Sequence, residues 1–597
     1  MNKSVSPYLN LLKNRIDLSE IPFSERGSRL LFFRENQHFT IRLAERWTKL
    51  SRKLSDYRQR PSLVDQLFLE DQSGSPLPVE VTTFPDSIEV STPIGLFEFL
   101  FQDSETICLI LPPIVCGVSF HARLDNCQVD RRGGILRLTG DIRRNIAYTT
   151  NAKILKNSSA SSNENSQIIH LKMDASGGNQ ALLLNITPRL GFNRWIPDPN
   201  LLRQDAANRW IKWFSSAPEV LDEYRDQYLY AWWIMRAGLL STRFYTTREV
   251  MAPSKNYYVG SWQWDNFFHA LAYRYVDGRL AQDQLRILID HQREDGMIPD
   301  AIHDEGTITH LDFPVDADVT KPPLIAWAAW KLFELDQDRE FLDEVYGSLV
   351  SWNSWWFEKN DLDHNGLCEY QHPFSSGLDD SPLWDAGMPV ESPDLNTYLY
   401  LQMEVLARIA VEIGELDDAR MWKQKSEVLL KLMIEKCWDS KAGIFNATHQ
   451  GKKLDVLTPF NLFPLITGRM PASISSKLIQ HLQNRDEFWT AYPIPTVAAN
   501  QPQYDPQQMW RGPTWVNVNY LLIEGLFKSG YADLARALRR RTLELLMARS
   551  DFYEYYHPDS GDNPPNAAPI FGWSAALFID MAIQATREAN SESGETQ

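Results

Sequence analysis

At 597 residues the chain exceeds one ordinary core of about 150 residues, so two or more folding units are expected. A formal charge of −17 argues against a nucleic-acid partner, because phosphate contacts need clustered Lys and Arg. No uncharged apolar run approaches the ~20 residues that span a bilayer, and no signal-peptide core follows Met1, which predicts a cytoplasmic protein with no membrane partner.

Residues 27 to 190 read as short strands. Arg29–Phe33, Phe39–Leu43, Val79–Thr82, Ser87–Ser91, Ile107–Leu111, Ile135–Leu138, Ile168–Lys172 and Ala181–Asn185 tend to alternate apolar and polar residues between turn-forming clusters. That pattern predicts an antiparallel β-sandwich over 1–195. Ser158 to Gln167 is polar enough to expect an exposed loop there.

Prolines near Ile196-Pro197-Asp198-Pro199 suggest a linker over 196–217. Beyond it, apolar residues recur at three and four, predicting helices near 218–240, 264–276, 279–293, 322–334, 338–358, 393–413, 416–436, 472–484, 514–529, 531–548 and 572–587. One more, in 196–217 or near 457–466, completes about six pairs. Paired helices with long connections suggest an (α/α)6 toroid, a six-hairpin barrel, over 218–588, followed by a disordered tail at 589–597.

The connections carry the chemistry. In Ser376-Gly377-Leu378-Asp379-Asp380-Ser381-Pro382-Leu383-Trp384-Asp385, three acidic residues sit among apolar neighbours, and a carboxyl so placed has its pKa pushed upward. Such a group can serve as an acid near neutrality. Glu554, within Phe552-Tyr553-Glu554-Tyr555-Tyr556, has an apolar setting that is costly unless the carboxylate is satisfied or used.

Trp262, Trp264 and Asp265 precede a helix; Gln292 closes one ahead of a long loop; Arg511 lies between Trp510 and Trp515; Trp573 enters the last helix. With Asp380, Trp384 and Tyr555 these are candidate substrate contacts, although Asp265 would serve equally as an N-cap and Arg511 as the partner of an acidic neighbour. Two carboxyl groups in an aromatic funnel are the equipment of glycoside hydrolysis. No nucleophile elbow, phosphate loop or zinc spacing is present, and no cofactor is called for. Asp361, Asp363 and Asn365 match the start of a Ca2+ loop, but His372 stands where its final Glu belongs, so a simple turn is the plainer reading. The five cysteines, Cys108, Cys116, Cys127, Cys368 and Cys437, are odd in number without any C-x-x-C, and read as reduced.

These motifs resemble glycoside hydrolase family 63 and its trehalase-containing clan. Ser376–Pro382 resembles the family's acid motif, Glu554 with its aromatic flanks the base motif, and Trp264-Asp265 the sugar-binding loop; Gln292–Pro299 and Trp510–Trp515 also look like family segments. The likeness spans about 218–588. It implies Asp379 as general acid, Glu554 as general base, inversion at an α-glycoside, and an (α/α)6 domain often preceded by a β-sandwich. Inverting carboxyls stand about 6.5–9.5 Å apart to admit a water. The signatures of trehalases around their Trp-Asp are absent, and the bacterial mannosylglycerate and glucosylglycerate hydrolases that look similar around the acid are shorter. A small sugar or sugar-conjugate substrate is therefore expected, most simply an α-glucoside. A catalytically silent sugar-binding toroid and a phosphorylase are the competing readings.

Overall fold

The computed structural model describes residues 6–46, 61–123, 126–137, 144–162 and 166–594. They form two compact units: one holds the residues up to Pro218 with Arg225–Ser241 and Lys255–Val259, the other Glu219–Tyr224, Thr242–Ser254 and the chain from Gly260.

In the first unit, α1 (Pro7–Leu11) precedes two antiparallel sheets. One has the order Leu30–Glu35, His38–Leu43, Val64–Glu70, Val115–Ala122, Ser166–Asp174, Lys153–Ser162. The other runs Glu80–Thr83, Ser87–Thr92, Gly95–Asp103, Thr106–Ile110, Ala181–Thr187, Asn145–Thr150, Gly133–Arg137, Asn126–Asp130. Period-two burial sets the faces: in Ser166–Asp174, Gln167, Ile169, Leu171 and Met173 point inward. The inner faces meet through aromatic rings, Phe32 and Phe39 lying 4.7 and 5.1 Å from Phe99, and Phe120 lying 5.9 Å from Tyr148.

Two sequence expectations change here. Most of the polar run 158–167 is strand, because Ser158 pairs with His170 and Ser161 with Gln167, while residues 163–165 lie outside the described residues. Backbone pairing carries this outermost strand, whose side chains are largely exposed. Nor is 196–217 a linker. Asp198 accepts from the amides of Asn200 and Leu201, Pro199 occupies the first turn, and α2 runs Pro199–Ser215. Its Leu202 and Ala206 pack with Leu100, Cys108, Ile110 and Leu183 of the larger sheet, while Arg203 pairs with buried Glu98 at 2.5 Å. Helix α3 (Arg225–Ala237), expected to open the helical domain, clusters with the sandwich: Trp213 Nε1 donates to the Trp232 carbonyl at 2.9 Å.

The second unit is helical: α4 (Gln263–Tyr273), α5 (Gly278–Asp290), α6 (Ile325–Asp336), α7 (Arg339–Lys359), α8 (Pro393–Ile413), α9 (Leu416–Cys437), α10 (Ala472–Leu482), α11 (Val516–Lys528), α12 (Ala532–Met547) and α13 (Gly572–Ser593). The segment near 457–466 is a 3-10 run, Pro459–Thr467, with Pro464 inside it. Helices α4, α6, α8, this run, α11 and α13 each touch the next, and α13 touches α4, closing a circuit. Asp277 and Asp338 cap α5 and α7, and left-handed Gly414 ends α8. Of the expected tail 589–597, residues 589–593 continue α13 to Ser593, and 595–597 lie outside the described residues. Among the described residues no helix is long and apolar enough to cross a membrane.

Leu202→Ala tests the reassignment of 196–217. Removing a side chain only 3% exposed should lower unfolding free energy by about 2–3 kcal/mol in urea denaturation; a true linker would show no change.

Candidate active site

The first turns of α4 and α13 and the segments that precede α4, α6, α8, α11 and α13 carry the sequence-predicted residues, so the ends of these helices fix their positions. Ahead of α8, His372 Nδ1 accepts from Phe374 N, Ser376 Oγ accepts from Leu378 N at 2.9 Å, and Trp384 Nε1 donates to the Leu378 carbonyl at 2.7 Å. Trp384 is thus a brace of the loop, its N–H turned to the backbone. Gly377 sits between, at φ +74°, and a Cβ there would fall 2.4 Å from Trp264 Cζ2. Only glycine meets both conditions without strain.

These contacts hold Asp379 with its side chain 24% exposed and Oδ1 buried without a hydrogen bond. Lys321 Nζ lies 3.8 Å from that oxygen, 2.8 Å from Asp300 Oδ1 and 2.7 Å from the Phe374 carbonyl. Burial pushes the Asp379 pKa up to about 7; Lys321 pulls against it, and Asp300 and Asp380 add to it. Asp265, in the first turn of α4 and 5% exposed, is raised well above the usual carboxylate range by burial, against Lys321 and with the help of Glu554. Glu554 is itself buried, and its Oε2 accepts from Ala568 N at 3.3 Å. Asp379, Lys321, Asp300, Asp265 and Glu554 form one charged neighbourhood.

Its wall is aromatic. Trp510 and Trp515 stack at 3.6 Å, Tyr555 lies 4.9 Å from Trp515, and Trp573 stands edge-on to Trp264 at 5.3 Å. Each of these five rings is at most 4% exposed, which makes them supporting surfaces with little open face. Trp262, half-buried, meets His303 edge-on at 5.1 Å.

Several expected substrate contacts are engaged within the protein. Asp380 accepts from Trp510 N at 2.8 Å and Gln508 Nε2 at 3.0 Å, clamping the loop before α11. Arg511 makes a two-pronged pair with Asp385 at 3.0 and 2.5 Å, the acidic-neighbour alternative. Gln292 donates to the carbonyls of Gly296 and Ser348. The Asp361 and Asp363 carboxylates accept from the amides of Asn365 and Gly366, as a turn requires. Sequence reasoning missed Asp300 and Lys321; a lone lysine in Val319-Thr320-Lys321-Pro322-Pro323-Leu324, an otherwise uncharged helix entry, was the available signal.

Two measurements check this geometry. Gly377→Ala should lower thermal stability and displace Trp264, seen as altered tryptophan fluorescence, with the helical circular dichroism intact. A carboxyl whose folded pKa is raised gives stability present at low pH and lost as pH rises through about 7. Asp379→Asn should therefore be more stable than wild type at pH 8, with the advantage gone near pH 4.

Residues 258–574 match the mannosylglycerate hydrolase MGH1-like glycoside hydrolase domain. A mannosylglycerate hydrolase of Thermus thermophilus is 28% identical over 398 residues, covering 55% of this chain and 95% of its own. The crystal structure of a GH63 mannosylglycerate hydrolase from Thermus thermophilus in complex with glucose superposes with a TM-score of 0.52 at 27% identity, over 59% of this chain and 98% of that one. A bacterial glucoamylase complexed with acarbose shares the fold alone, at 10% identity and a TM-score of 0.58, over 96% of this chain and 97% of its own. With its own residues 258–574 matched and the charged neighbourhood inside that span, the chain belongs to the MGH1-like glycoside hydrolases of family 63 and is a glycosidase.

Proposed function

We propose that the protein inverts and hydrolyses the α-glycosidic bond of a small sugar conjugate or oligosaccharide, with Asp379 as general acid and Glu554 as general base. The observation that carries the reading is Asp379, a carboxyl whose pKa burial pushes up to about 7 in the same charged neighbourhood as buried Glu554. Protonated Asp379 gives its proton to the glycosidic oxygen as the bond to the anomeric carbon breaks. Glu554 takes a proton from a water attacking the opposite face, and the product carries the inverted configuration. Asp265, its pKa raised, suits donation to a sugar hydroxyl.

The closed circuit of α4, α6, α8, Pro459–Thr467, α11 and α13, with α5, α7, α9, α10 and α12 each against its predecessor, suits the inner and outer rings of an (α/α)6 toroid. The mannosylglycerate specificity named for the Thermus relative makes hexosyl glycerates the first conjugates to try. Two carboxyl groups suffice for this reaction, so no cofactor is invoked. Five unpaired cysteines suit a reducing compartment, the cytoplasm.

The test is hydrolysis of α-mannosylglycerate, α-glucosylglycerate and α-linked glucose disaccharides, followed by anomer-resolved proton NMR. Wild type should release the β-sugar, and Asp379→Asn and Glu554→Gln should each lose at least about 100-fold in kcat. Activity should fall as pH rises through about 7, where Asp379 loses its proton. Release of the α-sugar would overturn the roles, and sugar binding without turnover across the panel would leave a silent binding protein.

A further inference from the structure

We propose that Lys321 is a positioning residue for the acid: its fixed ammonium group receives the carboxylate that Asp379 becomes once it has given up its proton. The proposal rests on Asp379 being the general acid.

Lys321 is 5% exposed, and its ammonium has three N–H bonds to place. It donates to the Phe374 carbonyl at 2.7 Å and forms an ion pair with Asp300 Oδ1 at 2.8 Å. The same ammonium lies 3.8 Å from Asp379 Oδ1, a buried oxygen with no hydrogen bond of its own. The backbone there is held firmly. Lys321 N and Thr320 Oγ1 both donate to Gln263 Oε1, Thr320 Oγ1 also lies 2.7 Å from the Ile298 carbonyl, and Thr320 N donates to Ser375 Oγ.

The arrangement solves a problem of charge. A neutral Asp379 tolerates its buried oxygen, but when the proton leaves for the glycosidic oxygen and the C–O electron pair departs with the leaving group, a negative charge remains at Oδ1. Stranded there, it would be costly. The charged groups facing Asp379 are Lys321, Asp300 and Asp380, and those facing Lys321 are Asp300, Asp379 and Asp265. Asp300, a full ångström closer, engages the ammonium first, so Asp379 is not ionised outright at the start of the cycle. A closing movement of about an ångström completes the second ion pair as proton transfer ends. Bonded to Phe374, ion-paired with Asp300 and buried, Lys321 is not free to bind a substrate carboxylate directly.

Lys321→Gln and, as a second packing choice, Lys321→Met separate these roles in the full-length protein, with circular dichroism confirming the fold. The substrates are the α-glycoside that wild type hydrolyses and the corresponding α-glycosyl fluoride, whose leaving group needs little protonation. The expected result is an alkaline limb of kcat/KM displaced upward by about one pH unit or more, and kcat on the glycoside reduced about tenfold or more. Turnover of the fluoride should stay within about threefold of wild type. An unmoved limb, equal losses on both substrates, or a rise in KM alone for a glycerate conjugate would overturn the proposal. If wild type hydrolyses no α-glycoside, the reading of Asp379 fails and this proposal with it. If wild type is active, Asp379→Asn is inactive and the Lys321 variants keep the wild-type limb, this proposal alone fails.

Discussion

Four carboxyl groups, Asp265, Asp300, Asp379 and Glu554, share a largely dry neighbourhood with one ammonium group, that of Lys321. Removing that many like charges from water is unfavourable unless some are protonated or paired. Both remedies operate. Burial alone would lower the Lys321 pKa, yet Asp300 and Asp379 outweigh it and keep the ammonium charged, while Asp265, Asp300 and Asp379 are each raised. The chemical capacity of the site follows from this shortage of positive charge: a carboxyl that holds its proton near neutrality is available to give it away.

Such a cluster must be held rigidly, because a relaxed loop would let water in and the pKa shifts would fade. The holding is done by contacts within the protein. Gly377 lets the acid loop press on Trp264, Trp384 ties the same loop back on itself, Asp380 anchors that loop to the segment before α11, and Arg511 with Asp385 adds a partly exposed pair beside it. A second close approach recurs at Gly512, where a Cβ would fall 2.6 Å from the Asp505 carbonyl. Several conspicuous aromatic and charged residues in these loops thus spend their polar groups on the protein itself.

The helical unit and the carboxyl-bearing loop before α8 were legible in the amino-acid sequence because their information is local. A helix announces itself through a period of 3.6 residues and its caps, as at Asp277 and Asp338, and an acid loop through carboxyls among glycine, proline and tryptophan. The strands with strong alternation, such as Ser166–Asp174, were legible for the same reason, although the polar Lys153–Ser162 strand was not, since its pairing is a backbone property.

What only the tertiary structure decided is where each side chain spends its hydrogen bonds. Helix α2 acquires its meaning from the outer face of a sheet built some hundred residues earlier, and without that face Leu202 and Ala206 are two apolar residues in a proline-flanked stretch. Gln292, Trp384 and Arg511 are chemically capable of meeting a sugar, but nearer partners claim them in the fold. Lys321 is the sharpest case. Its partners come from two segments, Asp300 from one and Phe374 with Asp379 from the loop before α8, and no spacing in the chain encodes that convergence, because distance through space is set by the packing of helices and not by separation along the sequence.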